Sequence, residues 1–141
     1  MKNYLTRGRS SARILLGGQN FQSVSKEWFT LNPNFEEGIT EIIINLDRAT
    51  AYESTRFKDF AAEVIENGNR KIILNMTKCK MIDSAFMGSM ILILKKINSL
   101  NGKFKLVANT QNMPVSLSNT SLNEVFDIYP NVESAIFSLK Q

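Results

Sequence analysis

Apolar positions along this chain follow two rhythms. In Ile39-Thr40-Glu41-Ile42-Ile43-Ile44-Asn45-Leu46, Ile42, Ile44 and Leu46 share one face and Ile43 lies on the other, the alternation of a strand. Between about Tyr52 and Glu66 the period lengthens: Phe57, Phe60, Ala61 and Val64 fall on one helical face, and Asn67-Gly68-Asn69 stops the helix. Lys71–Met76, with the apolar run Ile72-Ile73-Leu74, is the next strand. Asp83-Ser84 then opens a second apolar helix reaching about Leu100, which Asn101-Gly102 ends. Phe104–Ala108 predicts another strand, Met113-Pro114 a short helix and Val125–Ile128 a short extended segment. Asn131 caps a last helix whose Val132, Ala135, Ile136 and Leu139 share a face.

Upstream, Glu27-Trp28-Phe29-Thr30-Leu31 has the aromatic and β-branched character of a strand, and Asn32-Pro33-Asn34 and Glu36-Glu37-Gly38 read as turns. The order is then two strands followed by alternating helices and strands. That pattern predicts an α/β domain whose mixed, mostly parallel sheet begins with an antiparallel hairpin and carries about four helices.

Composition narrows the function. With 141 residues and 43% apolar content, one domain with a sizeable core is expected. No apolar run reaches the ~18 residues of a membrane span, and no secretory signal is visible, so a cytoplasmic protein is expected. The single cysteine, Cys79, agrees with a reducing compartment. The net charge of +4 sits at one end: five of the 17 basic residues precede the first acid, Glu27, leaving 12 basic against 13 acidic residues from there on. Residues 1–26 thus read as a flexible basic arm and 27–141 as the folded body, which has no basic face for nucleic acid. The arm leaves a homodimer open.

The chain has no histidine, which removes Ser-His-Asp and Cys-His couples and His-containing zinc sites, and it has no glycine-rich phosphate cradle. No cofactor and no metal are expected. The informative segment is the loop ending in Asp83-Ser84. A serine there can cap the helix, or it can carry a phosphate that switches a binding surface. From the residues alone Asp83 reads as a loop or capping residue, and Asp47 as the end of a strand and the start of a turn. In the second helix, Met87, Met90, Ile91 and Leu94 form the stripe expected to face the core. Phe86, Ser89 and Ile93 lie off that stripe, and an exposed patch for a partner is read there.

Several segments together resemble the STAS domain, shared by anti-sigma factor antagonists and the cytoplasmic tails of sulfate transporters. They are Ile44–Asp47 with Ala49-Thr50-Ala51, Asn75–Thr77 through Met81–Gly88, Gly102–Val107, Ser118–Leu122 leading to Val125-Phe126, and Tyr129–Ile136. The resemblance spans about residues 27–140. It implies helices packed mainly on one face of the sheet and a non-catalytic regulatory module. In the antagonist branch the residue matching Ser84 is phosphorylated by an anti-sigma factor that is also a serine kinase, and a phosphatase resets the switch. Asp47, Asp83, Ser84, Ala85, Phe86, Met87 and Ser89 would form the partner surface. Two other readings compete: a STAS subunit of a signalling scaffold or transporter complex without a phosphate cycle, and a small enzyme using Asp47 and Asp83 as a carboxylate pair with Ser84.

Overall fold

The computed structural model describes residues 28–109 and 122–141. By its contacts the chain divides between Thr30 and Leu31. Before that division the rings of Trp28 and Phe29 meet edge-on at 6.2 Å. The expected short helix at Met113-Pro114 lies outside the described residues.

Among the described residues, seven strands and four helical segments follow one another. They are β1 (Phe29–Glu36), β2 (Ile39–Ile44), β3 (Arg48–Ala49), α1 (Ala51–Glu66), β4 (Lys71–Asn75), β5 (Met81–Ile82), α2 (Ser84–Ser99), β6 (Lys103–Val107), α3 (Leu122–Val125), β7 (Asp127–Tyr129) and α4 (Val132–Leu139). Five strands make the main sheet in the order β1-β2-β4-β6-β7. β2, β4, β6 and β7 run parallel, with Ile42 opposite Leu74, Leu74 opposite Leu106, and Leu106 opposite Ile128. A two-residue turn, Glu37-Gly38, joins β1 to its neighbour β2, so the predicted hairpin is present; Gly38 sits at φ +76°, where a side chain would be strained.

The turn expected at Asn32-Pro33-Asn34 does not form. These residues lie inside β1. Among the described strands β1 is at the sheet edge, where a proline has no second ladder to break. Asn34 takes φ +54°, a left-handed conformation that asparagine tolerates, and its Oδ1 accepts from the Gly38 amide at 2.9 Å. Val125 likewise ends the helical turn α3, where an extended segment was expected, and β7 begins at Asp127.

Alternation sorts the sheet into two faces. Ile39, Ile73 and Val107 lie on one and join Ala135 and Leu139 of α4 in a buried cluster, with Tyr129, Val132 and Ile136 at its margin. Ile42, Ile44, Ile72, Leu74 and Leu106 point to the other face and are fully buried there, under the packed pair α1 and α2. Two long helices therefore share one face, as expected. The short α4 covers the other, and among the described residues three helices exceed a single turn where about four were expected. Phe57 of α1 and Phe86 of α2 seal the helix pair, their ring centroids 4.9 Å apart.

One acidic residue is buried in the sheet. Glu41, 4% exposed, accepts from Asn32 Nδ2 at 2.9 Å and from Asn75 Nδ2 at 3.0 Å. Asn75 Oδ1 in turn accepts from the amide and hydroxyl of Thr77 at 3.0 and 2.8 Å. The turn that starts the Thr77–Ile82 loop is thus tied to the sheet on the side from which the loop leaves.

Candidate functional site

At the carboxyl ends of β2 and β4 the chain makes a second, two-strand ladder. Arg48 stands opposite Met81 and Ala49 opposite Ile82, in parallel. Three backbone bonds frame it: the Lys80 and Met81 amides donate to the Asp47 carbonyl at 2.8 and 3.2 Å, and the Asp83 amide donates to the Ala49 carbonyl at 3.0 Å. This ladder brings the residues just before α1 beside the residues just before α2.

Each helix begins with a side-chain cap. Thr50 and Glu53 form a reciprocal capping box on α1; the Thr50 amide donates to Glu53 Oε1 at 2.8 Å, and Thr50 Oγ1 accepts from the Tyr52 amide at 3.3 Å. Asp83 caps α2, its Oδ1 accepting from the Phe86 amide at 2.9 Å. Its other oxygen, Oδ2, accepts from the Ala51 amide at 2.8 Å, in the first turn of α1. One carboxylate therefore lies at the positive ends of both helix dipoles and satisfies an orphan donor of each.

Ser84 is thereby relieved of the capping role the sequence left open. It is the first residue of α2, one position past the cap, and it is exposed, as are Ala85 and Gly88. Ala51 and Tyr52 are exposed on α1, and Tyr52 at 80% is the most exposed large apolar side chain described. Asp47 is also at the surface, 69% exposed, with Lys80 Nζ 3.8 Å away. An ion pair of that exposure and length contributes at most about 1 kcal/mol. Lys78 Nζ donates to Asn45 Oδ1 at 3.2 Å. The Cys79 Sγ donates to the Met81 carbonyl at 3.3 Å, and burial pushes this thiol's pKa up from its ordinary value.

Three residues expected on an exposed patch lie inside instead. Phe86 is completely buried against Phe57, Ser89 is 8% exposed and Ile93 is buried too. Met87, Ile91 and Leu94, the stripe expected to face the core, are only half-buried, whereas Met90 is fully buried. The inward face of α2 is thus Phe86, Ser89, Met90, Ile93 and Ile97, turned about one residue from the expected one. Phe86 and Ser89 support the surface from beneath and cannot touch a partner in this conformation. Sequence reasoning missed the contact between Asp83 and Ala51, and it missed Tyr52. The Thr50-x-x-Glu53 box was the signal that would have placed Tyr52 in an exposed first turn.

Comparison with known proteins identifies the family and the fold. The STAS domain model matches residues 32–135, which is most of the chain. The chain belongs to the STAS domain family. An anti-sigma factor antagonist assigned in Thermotoga maritima is 29% identical over 98 residues, 70% of this chain and 83% of that protein. Among solved structures, an anti-sigma factor antagonist from Mycobacterium paratuberculosis superposes with a TM-score of 0.70 at 12% identity, covering 80% of this chain and 93% of the other. The phosphorylated form of the Bacillus cell fate determinant SpoIIAA superposes with a TM-score of 0.57 at 16% identity, covering 79% and 98%. At these identities the two structures show a common fold. Among the described residues, no helix of this STAS domain is long and apolar enough to cross a membrane.

Proposed function

We propose that this STAS domain is an anti-sigma factor antagonist: a non-catalytic module that binds an anti-sigma factor serine kinase and is switched by phosphate on Ser84. The observation that carries this reading is the position of Ser84. Its side chain is exposed at the start of α2, while the neighbouring Asp83 holds the helix ends. A kinase can reach the hydroxyl without unfolding the domain. In the transfer, Ser84 Oγ bonds to the γ-phosphorus of ATP, its proton goes to a base of the kinase, and ADP leaves. The product adds about −1.5 to −2 charges at the centre of the rim formed by Asp47, Asp83, Ser84, Ala85 and Met87. A partner packed over that rim must then desolvate or repel a dianion, and a phosphatase restores the hydroxyl. Asp83 already spends both oxygens on backbone amides, which supports a structural and regulatory role over that of a general base.

The test is incubation with ATP and serine kinases encoded beside the chain, followed by intact mass. One phosphate is expected on the wild type and none on Ser84→Ala. Ser84→Asp should bind the kinase at least tenfold more weakly than wild type, a difference of about 1.4 kcal/mol. Equal binding by both would refute the switch. Stable co-purification with scaffold or transporter subunits, unaffected by Ser84→Asp, would favour the assembly reading instead.

A further inference from the structure

We infer that Asp83 transmits the charge on Ser84 to α1, so that the switch alters the surface around Tyr52 as well as the serine itself. This rests on the reading of Ser84 given above. The two bonds of the Asp83 carboxylate are not equivalent. The bond from Phe86 is local and half-buried; losing it would strand a donor away from water. The bond from Ala51 bridges 32 positions of sequence and is exposed, so water can replace Asp83 there at little cost. A dianion on the adjacent residue repels the carboxylate, and the carboxylate gives way where giving way is cheapest. The Ala51 bond is the one that lengthens or breaks.

Its loss reaches Tyr52 directly. The first turn of α1 is then held by the Thr50–Glu53 box, with its Tyr52 amide bond at a long 3.3 Å. The turn loosens, and the backbone that presents the exposed Tyr52 side chain is less ordered. Tyrosines are enriched among the anchors of protein interfaces. A partner that spans both helix starts therefore loses a placed aromatic contact together with the uncharged serine, although the two lie on different helices.

Amide hydrogen exchange at Ala51 and Phe86, followed by NMR in the whole chain, tests this without any kinase. Phosphoserine is installed at position 84 during translation, and Ser84→Asp and Ser84→Asn supply a charged and an uncharged comparison. Exchange at Ala51 should accelerate by roughly tenfold with phosphoserine and less with Ser84→Asp, the scale expected for one exposed bond to a charged acceptor. It should be unchanged in Ser84→Asn, and Phe86 should stay protected throughout. In an Asp83→Ala background, phosphoserine should add no further acceleration at Ala51. Unchanged exchange at Ala51 with phosphoserine, or equal acceleration in Ser84→Asn, would overturn the inference and leave the switch itself standing. If no kinase phosphorylates Ser84 but Ala51 responds to installed phosphoserine, the coupling stands and the regulatory reading falls.

Discussion

Asp83 accepts the backbone amide of Ala51 at 2.8 Å, so the residue that starts α2 also holds the start of α1. Removing this carboxylate strips a cap from one helix and a charge-assisted bond from the other. Asp83→Ala should cost about 2 kcal/mol, combining an N-cap loss near 1 kcal/mol with the exposed bond to Ala51. Asp83→Asn still caps well but keeps a single acceptor oxygen, and should cost about half as much. Urea denaturation of both variants measures the difference. A loss under about 0.5 kcal/mol in Asp83→Ala would show that the bridge contributes nothing to stability.

Phe86 belongs to the core, and its substitution separates packing from recognition. It is fully buried on Phe57. Phe86→Ala should destabilise the domain by about 3–5 kcal/mol, whereas Phe86→Leu should cost distinctly less. At a temperature where Phe86→Leu is folded, its affinity for a partner should match the wild type. A folded Phe86→Leu that loses binding would return this ring to the interface.

The main elements were legible because their apolar periods were clean. α1 shows Phe57, Ala61 and Val64 inward and stops at Asn67-Gly68, and β2, β4 and β6 carry dense apolar runs. The face of α2 was not legible. That helix is apolar almost all round, from Ala85 through Ile97, so its period selects no single stripe and the packing against α1 and the sheet decides. Asp83 and Ser84 are both good caps, and sequence alone does not choose between adjacent candidates. The choice is made by Ala51, a residue far away in sequence whose amide only the folded chain brings within reach of Asp83. The Asn32-Pro33-Asn34 turn signal failed for a similar reason: an edge strand tolerates residues that an inner strand would reject.

Two glycines in or beside α2 should respond in opposite directions to alanine. A Cβ at Gly102 would lie 2.6 Å from the Arg70 carbonyl oxygen and 2.5 Å from Ile97 Cγ1, and the backbone oxygen cannot swing aside. Gly102→Ala should therefore destabilise by about 1–3 kcal/mol. A Cβ at Gly88 meets nothing within 4 Å, and the position is an exposed helix interior. Gly88→Ala should stabilise by about 0.5–1 kcal/mol. Thermal melts of the two variants should move to opposite sides of the wild type.

Tyr52 should matter for binding and little for folding. At 80% exposure its ring contributes little to the core, so Tyr52→Ala should change stability by no more than about 0.5 kcal/mol. If the partner spans both helix starts, the same variant should weaken binding to the unphosphorylated domain by about tenfold or more. Titration of the partner by calorimetry measures this. Unchanged affinity would confine the docking surface to the α2 side.

Cys79 ties the loop to alkaline pH. Burial pushes its thiol pKa up, the backbone hydrogen bonds at Met81 and Ala49 pull it back in part, and the negative charges of Asp47 and Glu53 push it up further. Folding thus favours the neutral thiol. Its contribution to stability is fully present below the pKa of the unfolded chain and fades as pH rises through the higher, folded value. Alkylation should follow the same sign: the folded domain should react with iodoacetamide more slowly than the urea-unfolded chain at the same pH, with its rate rising at higher pH. Asp47→Asn removes one of the raising charges and should move the reactivity profile to lower pH. A folded profile at or below the unfolded one would mean that the loop exposes this sulfur, and that the bond to the Met81 carbonyl does not hold it in place.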